Sequence, residues 1–211
     1  GGRIVALGEN LGPGAKEIDA TGKLVMPGGI DSHCHIDQRS SGGGRNSETF
    51  ESGTRSAACG GTTTIICFAA QEKGELLTPV VEEYHEKAKR SCVDYSFHLI
   101  ISDPSDQVMN EEVPKLIESG HRSLKLFMTY PRNRLNDAEI LKVLEFAKLN
   151  QALVCVHAEN HDAIMYMTEK LLAADKNSTK HHAWAKPPLV EREAVHRMIM
   201  LSELLDVPIQ I

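Results

Sequence analysis

Residues 123–157 read SLKLFMTYPRNRLNDAEILKVLEFAKLNQALVCVH. Ser123–Met128 is an apolar, strand-like run, and Ala152–His157 is another. Between them, Asp137–Leu149 sets Ile140, Leu141, Leu144, Phe146 and Ala147 at helical spacing on one face. Asn136 or Asp137 is placed to cap that helix. A strand, a helix of this length and a second strand make a crossover unit, and such a unit joins parallel strands.

The same unit recurs on both sides. Upstream lie a strand at Ile30–Ile36, a helix at Phe50–Cys59, a strand at Thr62–Phe68, a helix at Thr78–Arg90 (Val80, Val81, Tyr84 and Ala88 inward), a strand at Tyr95–Ile101 and a helix at Asp106–Ser119. Downstream lie helices at His161–Ala174 and Glu191–Leu205, then a strand beginning at Val207–Ile211. The pattern predicts an α/β fold, an incomplete (β/α)8 TIM-type barrel of about six βα units. It is preferred to an open sheet because the apolar run Pro208–Ile211 stops in mid-strand. Residues 1–27 lack the rhythm. Short strands are expected there at Arg3–Leu7, Glu17–Asp19 and Lys23–Met26, as part of a small β-sandwich domain, with the barrel portion at 28–211. With no initiator Met, the chain reads as a piece of a longer protein.

Composition narrows the function classes. The 211 residues carry 23 Lys+Arg against 29 Asp+Glu, a formal charge of −6, and are 41% hydrophobic. That is enough apolar residue for a sizeable core, which excludes disorder as the main state. An acidic balance argues against nucleic acid as a partner, and no apolar run reaches membrane-spanning length. Cys34, Cys59, Cys67, Cys92 and Cys155 are odd in number and form no C-x-x-C pair, which fits a reducing, cytoplasmic setting. Small molecules remain as partners.

Parallel barrels carry their chemistry at the C-terminal ends of their strands. His33 and His35 end the first strand, Lys125 lies near the end of the fourth, and His157 ends the fifth. Two imidazoles at i and i+2 on a strand share a face and suit one metal ion. Asp31 is placed either to orient one of those imidazoles or to serve as a plain strand-start carboxylate. Lys125 in an apolar strand reads either as a snorkelling strand-end lysine or as a lysine of depressed pKa. The other histidines, including His98 and His161, take structural readings, and Gly60-Gly61 reads as a tight helix-to-strand turn.

PGGIDSHCHID, AACGGTTTII, SLKLFMTY and VHAEN, in that order, resemble the dihydropyrimidinase/hydantoinase branch of the cyclic amidohydrolases. The resemblance runs along essentially the whole chain. It implies a site of two zinc ions. His33 and His35 would bind one, and His157 the other. Lys125, carbamylated to N6-carboxylysine, would bridge them. A bridging water, acidified by the metals, would attack the ring amide of a dihydropyrimidine or hydantoin. Tyr130 matches the tyrosine that steadies the developing oxyanion. The remaining His and Asp ligands would lie past Ile211, so the 211 residues alone are expected to be inactive. The loop Arg39–Ser47 corresponds to a substrate-gating loop. Cys34 stands where Thr or another small residue is usual, and Cys67 where Asp is common. Relatives assemble as homotetramers or dimers. Three alternatives stay open: another cyclic amidohydrolase of allantoinase type, a non-catalytic adaptor protein that keeps the fold and loses the ligands, or an ordinary flavin- or phosphate-binding barrel with incidental histidines.

Overall fold

The computed structural model describes residues 2–39 and 44–211. Six strands, β1 (Gly29–Asp31), β2 (Thr62–Ala70), β3 (Asp94–Ile100), β4 (Ser123–Phe127), β5 (Leu153–His157) and β6 (Ile209–Gln210), form one sheet. Each pairs in parallel with the next in chain order. A spatial order that follows the chain without reversal is that of a barrel wall, since doubly wound sheets switch direction at their midpoint. β1 and β6 stand at the two edges, so the wall is partial, as the alternation in the sequence predicts.

The helices pack on one face of this wall. They are α1 (Phe50–Cys59), α2 (Leu77–Ala88), α3 (Val113–Glu118), α4 (Asp137–Asn150), α5 (His161–Ala173), the short α6 (His182–Ala185) and α7 (Pro188–Leu205). Strand parity decides which residues meet them. Ile65, Cys67 and Ala69 of β2, Phe97 and Leu99 of β3, Leu124 and Leu126 of β4, and Val154 and Val156 of β5 join the helix-side core. The alternate residues, among them Phe68, Ile100 and Phe127, form a separate cluster on the inner face. On α4, Ile140, Leu144 and Ala147 are buried as expected, together with Val143, while Leu141 and Phe146 pack at its margin. Asn136 caps the helix by accepting from the Glu139 N–H at 3.0 Å.

Three expectations are corrected. No strand forms among the described residues before Gly29, because none finds a partner there to complete a ladder. Ile4, Val5, Leu7, Ile18, Leu24 and Val25 are left exposed. The strand expected over Ile30–Ile36 ends at Asp31, where the Asp31 carboxylate accepts from the His33 N–H at 3.0 Å and turns the chain out of the ladder. The helix expected over Asp106–Ser119 is a π turn at Val108–Glu112 running into α3, and the Val113 N–H donates to the Val108 carbonyl. Pro114 has no N–H to donate, so regular α-bonding cannot pass through that point. Gly61 adopts φ +87° in the turn between α1 and β2, the turn role its sequence indicates.

Candidate active site

Parity turns Phe68, His98, Lys125, Phe127 and His157 to the inner face of the wall, and the chain leaving β1 brings His33 and His35 to the same region. The His33 and His35 ring centroids lie 5.5 Å apart. Both rings pack on Phe68, at 4.7 and 4.5 Å. Phe68 also meets His98 at 4.8 Å. The imidazoles are therefore adjacent, held by an aromatic platform rather than by strand alternation.

Lys125 lies between two halves of the site. Its Nζ stands 5.7 Å from the Phe68 ring centroid, on the His33 and His35 side, and 5.1 Å from Phe127. Phe127 in turn stacks on His157 at 5.8 Å, and Tyr130 lies 5.3 Å from His157. Lys125 is only 4% exposed. Burial holds its pKa below the usual lysine value. Burial, and then the charge of Lys125, push His33 down as well. Both effects favour neutral nitrogen lone pairs, the form that ligates metals.

The rings are oriented by partners that the sequence did not single out. His35 Nδ1 lies 2.6 Å from Gln38 Oε1, so Nδ1–H donates and Nε2 keeps its lone pair. Asn46 fixes the same segment by donating to the His35 carbonyl at 2.8 Å. His157 Nε2 lies 2.8 Å from Glu159 Oε2, which leaves Nδ1 as its available lone pair. Burial raises the Glu159 pKa, but hydrogen bonds from His157 and Lys186 outweigh it and hold the carboxyl below its ordinary value. His98, read as structural, stands in the site. Its Nε2 lies 2.8 Å from the Ser32 carbonyl, tying β3 to the chain that carries His33. The His98–Ser32 contact leaves no sequence pattern, because its partners lie 66 residues apart, whereas Gln38 and Glu159 lie three and two residues from the imidazoles they meet and depend on how the local chain turns. Asp31 accepts from the His33 backbone N–H, and among the described residues its carboxylate makes no hydrogen bond to an imidazole.

Tyr130 takes φ +69°, a left-handed conformation unusual for an aromatic residue. Its carbonyl accepts from the N–H groups of Asn133 and Arg134, and the Asn133 side chain donates to Ser102 at 2.9 Å. The strain is thus held by the β4–α4 turn and a tie to the end of β3. Beside these residues opens a cavity of about 410 Å³, lined by His35, Gln71, Phe127, Tyr130, Arg132 and His157 among others. A second cavity, of about 440 Å³, lies at the start of α4 and α5. Four of its charged groups form two ion pairs, Arg134 with Asp162 and Arg197 with Asp137. The loop expected to gate the substrate spans Arg39–Ser47, of which Ser40, Ser41, Gly42 and Gly43 lie outside the described residues. Its flanks, Arg39 and Arg45, both pair with Glu83 of α2, at 3.4 and 3.7 Å.

A parallel barrel wall with imidazoles and a buried lysine at its C-terminal rim is the layout of a barrel enzyme. The profile of the Amidohydrolase family matches residues 24–207, and the chain belongs to that family. It is 42% identical over 212 residues to a D-hydantoinase of Ralstonia pickettii, covering 100% of this chain and 46% of that one. It is 46% identical over 207 residues to a D-hydantoinase of Geobacillus stearothermophilus, covering 96% and 44%. The crystal structure of a dihydropyrimidinase from Brevibacillus agri superposes with a TM-score of 0.92 at 41% identity, covering 97% of this chain and 45% of that one. The chain therefore spans somewhat under half the length of these relatives. Among the described residues no helix is long and apolar enough to cross a membrane.

Proposed function

We propose that this chain contributes the metal-binding half of an enzyme that opens cyclic amides by hydrolysis, with dihydropyrimidines or hydantoins as substrates. One observation carries the reading. Lys125, buried without a hydrogen bond among the described residues, lies on an inner face shared with His33, His35 and His157. The relatives named D-hydantoinase and dihydropyrimidinase supply the substrate class.

Among the described residues no three His, Cys, Asp or Glu side chains converge as a ready metal cluster. The donor chemistry nonetheless fits zinc, which imidazole nitrogen and carboxylate-type oxygen both suit. His33 and His35 would hold one ion through nitrogens that burial and Gln38 leave neutral or free. His157, oriented by Glu159, would hold a second. A buried amine of lowered pKa is the form that adds carbon dioxide, releasing one proton and becoming a carbamate. Lys125 would so become N6-carboxylysine, an anionic oxygen ligand able to serve both ions. When bound, zinc would acidify water and polarise the ring carbonyl.

The chain's own residues do the rest. Tyr130, beside His157 and at the cavity, would donate its phenol proton to the carbonyl oxygen as negative charge gathers there. Phe127 and Ile100 give the cavity an apolar wall for the ring, and Arg132 and Asn133 give it polar donors. Residues 1–27, which form no strand among the described residues, would be part of a small β-sandwich domain, and 28–211 the partial barrel. A homotetramer or homodimer is the expected assembly.

The test is ring opening of dihydrouracil, hydantoin and allantoin by the chain extended to its relatives' length, supplied with zinc and bicarbonate. Lys125→Ala serves as the control. Activity on dihydrouracil or hydantoin, lost in the control together with bound zinc, is the expected result. Allantoin alone as substrate would move the protein to the allantoinases. Neither zinc nor turnover would leave the non-catalytic adaptor reading.

A further inference from the structure

Cys34 stands between His33 and His35, and its Sγ lies 3.4 Å from Sγ of Cys67. The two thiols are in direct contact. Cys67 is fully buried in the middle of β2, where it pairs with Phe97 of β3. Cys34 belongs to the short segment after β1, which has left the ladder, and it is only partly buried. Its backbone is tied to β2 by one long hydrogen bond, from the Cys34 N–H to the Ile66 carbonyl at 3.4 Å.

We propose that Cys34 and Cys67 form an oxidation site for peroxides, and that closing their disulfide displaces the His33 and His35 imidazoles. The chemistry balances as two steps. Cys34 sulfur attacks one peroxide oxygen, a sulfur–oxygen bond forms, the oxygen–oxygen bond breaks, and water leaves, giving a sulfenic acid. Cys67 sulfur then attacks Cys34 sulfur, the sulfur–oxygen bond breaks, and a second water departs with the Cys67 proton. Two thiols lose two electrons, and the peroxide takes them up. The buried partner 3.4 Å away is what turns the sulfenic acid to a disulfide before a second peroxide arrives.

The geometry also assigns the moving part. A disulfide bond is about 2.05 Å long, so the sulfurs must approach by roughly 1.4 Å. Cys67 is held by ladder partners on β2, in a fully packed position. Cys34 must supply most of the motion, and its two chain neighbours are the imidazoles assigned to the metal. The consequence for zinc rests on the function proposed above, whereas the disulfide itself does not.

The experiment uses the full-length protein carrying Cys59→Ser and Cys92→Ser, which removes the two exposed thiols. It is treated with hydrogen peroxide, digested without reductant and mapped by mass spectrometry, beside a variant that also carries Cys67→Ser. Expected is a peptide pair joined through Cys34 and Cys67, two hydrogens lighter than its reduced parts. Zinc affinity should fall about tenfold, the scale of a disturbed ligand support, and return with a phosphine reductant. In the Cys67→Ser variant Cys34 should instead proceed to sulfinic acid, and reductant should not restore zinc. Wild-type Cys34 found as sulfinic acid beside a free Cys67, or both thiols intact under peroxide that oxidises exposed methionines, would overturn the disulfide. A mapped disulfide with unchanged zinc affinity would overturn the displacement. A reduced protein that binds no zinc would sink the metal reading, and the mapping alone would then decide the disulfide.

Discussion

Lys125 spends folding energy to sit where it does. The residue is 4% exposed, its neighbours include the Phe68 and Phe127 rings, and burial lowers its pKa. A lysine whose folded pKa lies below its unfolded value costs folding energy at neutral pH, where the unfolded chain keeps the ammonium fully solvated. Lys125→Met keeps the length and removes that cost. In metal-free protein it should raise stability by about 1–2 kcal/mol, read as a higher urea midpoint, while abolishing zinc binding. A lowered midpoint would mean that the amine has a stabilising partner and is not held for function. Tyr130→Phe should leave the fold and the left-handed turn intact and lower kcat about 100-fold, with little change in KM, as loss of an oxyanion donor does. A change in KM alone would reassign Tyr130 to ground-state binding. His33, His35, Lys125 and His157 were legible as candidates because strand ends carry chemistry in a parallel barrel. Gln38, His98 and Glu159 were not, because each acts through a contact made only when the chain is folded.

Among the elements, α2 shows how the wall is tied together from a distance. Its N-cap residue, Leu76, makes no side-chain cap. Glu112, at the end of the π turn, supplies one instead, accepting from the Leu77 N–H at 2.7 Å and the Thr78 N–H at 3.3 Å. Glu112→Ala should destabilise the protein by about 2–3 kcal/mol, since it leaves a buried helix start with unpaired N–H groups. Glu112→Gln, which keeps one acceptor oxygen, should recover part of that loss, and equal losses in thermal denaturation would contradict the capping role. At the other side of α2, Glu83 is held below its ordinary pKa, first by the hydrogen bond from Lys87 at 2.7 Å and then, against burial, by the charges of Lys87, Arg39 and Arg45. A carboxyl depressed in the folded state contributes stability at pH above its unfolded value of 4.5, and the contribution fades as pH falls through the lower folded value. Backbone amides of Arg39 and Arg45 should therefore exchange hydrogen faster relative to the intrinsic rate as pH falls below 4.5 and through the lower folded value, and Glu83→Gln should show that loosening at neutral pH. Helix periodicity alone could place α2 and α4. It could not place the π turn, which depends on where Pro114 withholds its N–H.

At the scale of the molecule, the wall among the described residues has two edge strands, each paired on one side, and one uncovered segment. β1 offers three residues and β6 two at the sheet edges. Ile4, Val5, Leu7, Leu24, Val25 and Met26 are between 73% and 96% exposed. Burying such a side chain is worth roughly 1.5–3 kcal/mol, so exposed apolar side chains together with open sheet edges drive chains together. The alternation of strands and helices made the wall readable, because each unit closes through neighbours in the sequence. The strands expected before Gly29 were misread because a strand is completed by its partner, and these residues have none among those described. The inner face has the same dependence. In the proposed site His33, His35, Lys125 and His157 stand on one side of a lumen, which would need its other wall to exclude water and complete the ligand set. The isolated 211 residues should therefore associate with rising concentration and open neither dihydrouracil nor hydantoin. Light scattering on a size-exclusion column, from about 1 to 100 μM, tests the first point, and a zinc- and bicarbonate-supplied assay tests the second. A particle that stays at 23.2 kDa throughout would mean that the exposed apolar residues are covered by the chain itself. Turnover by that particle would mean that the half-lumen suffices, and the catalytic set would then have to be sought wholly among these residues.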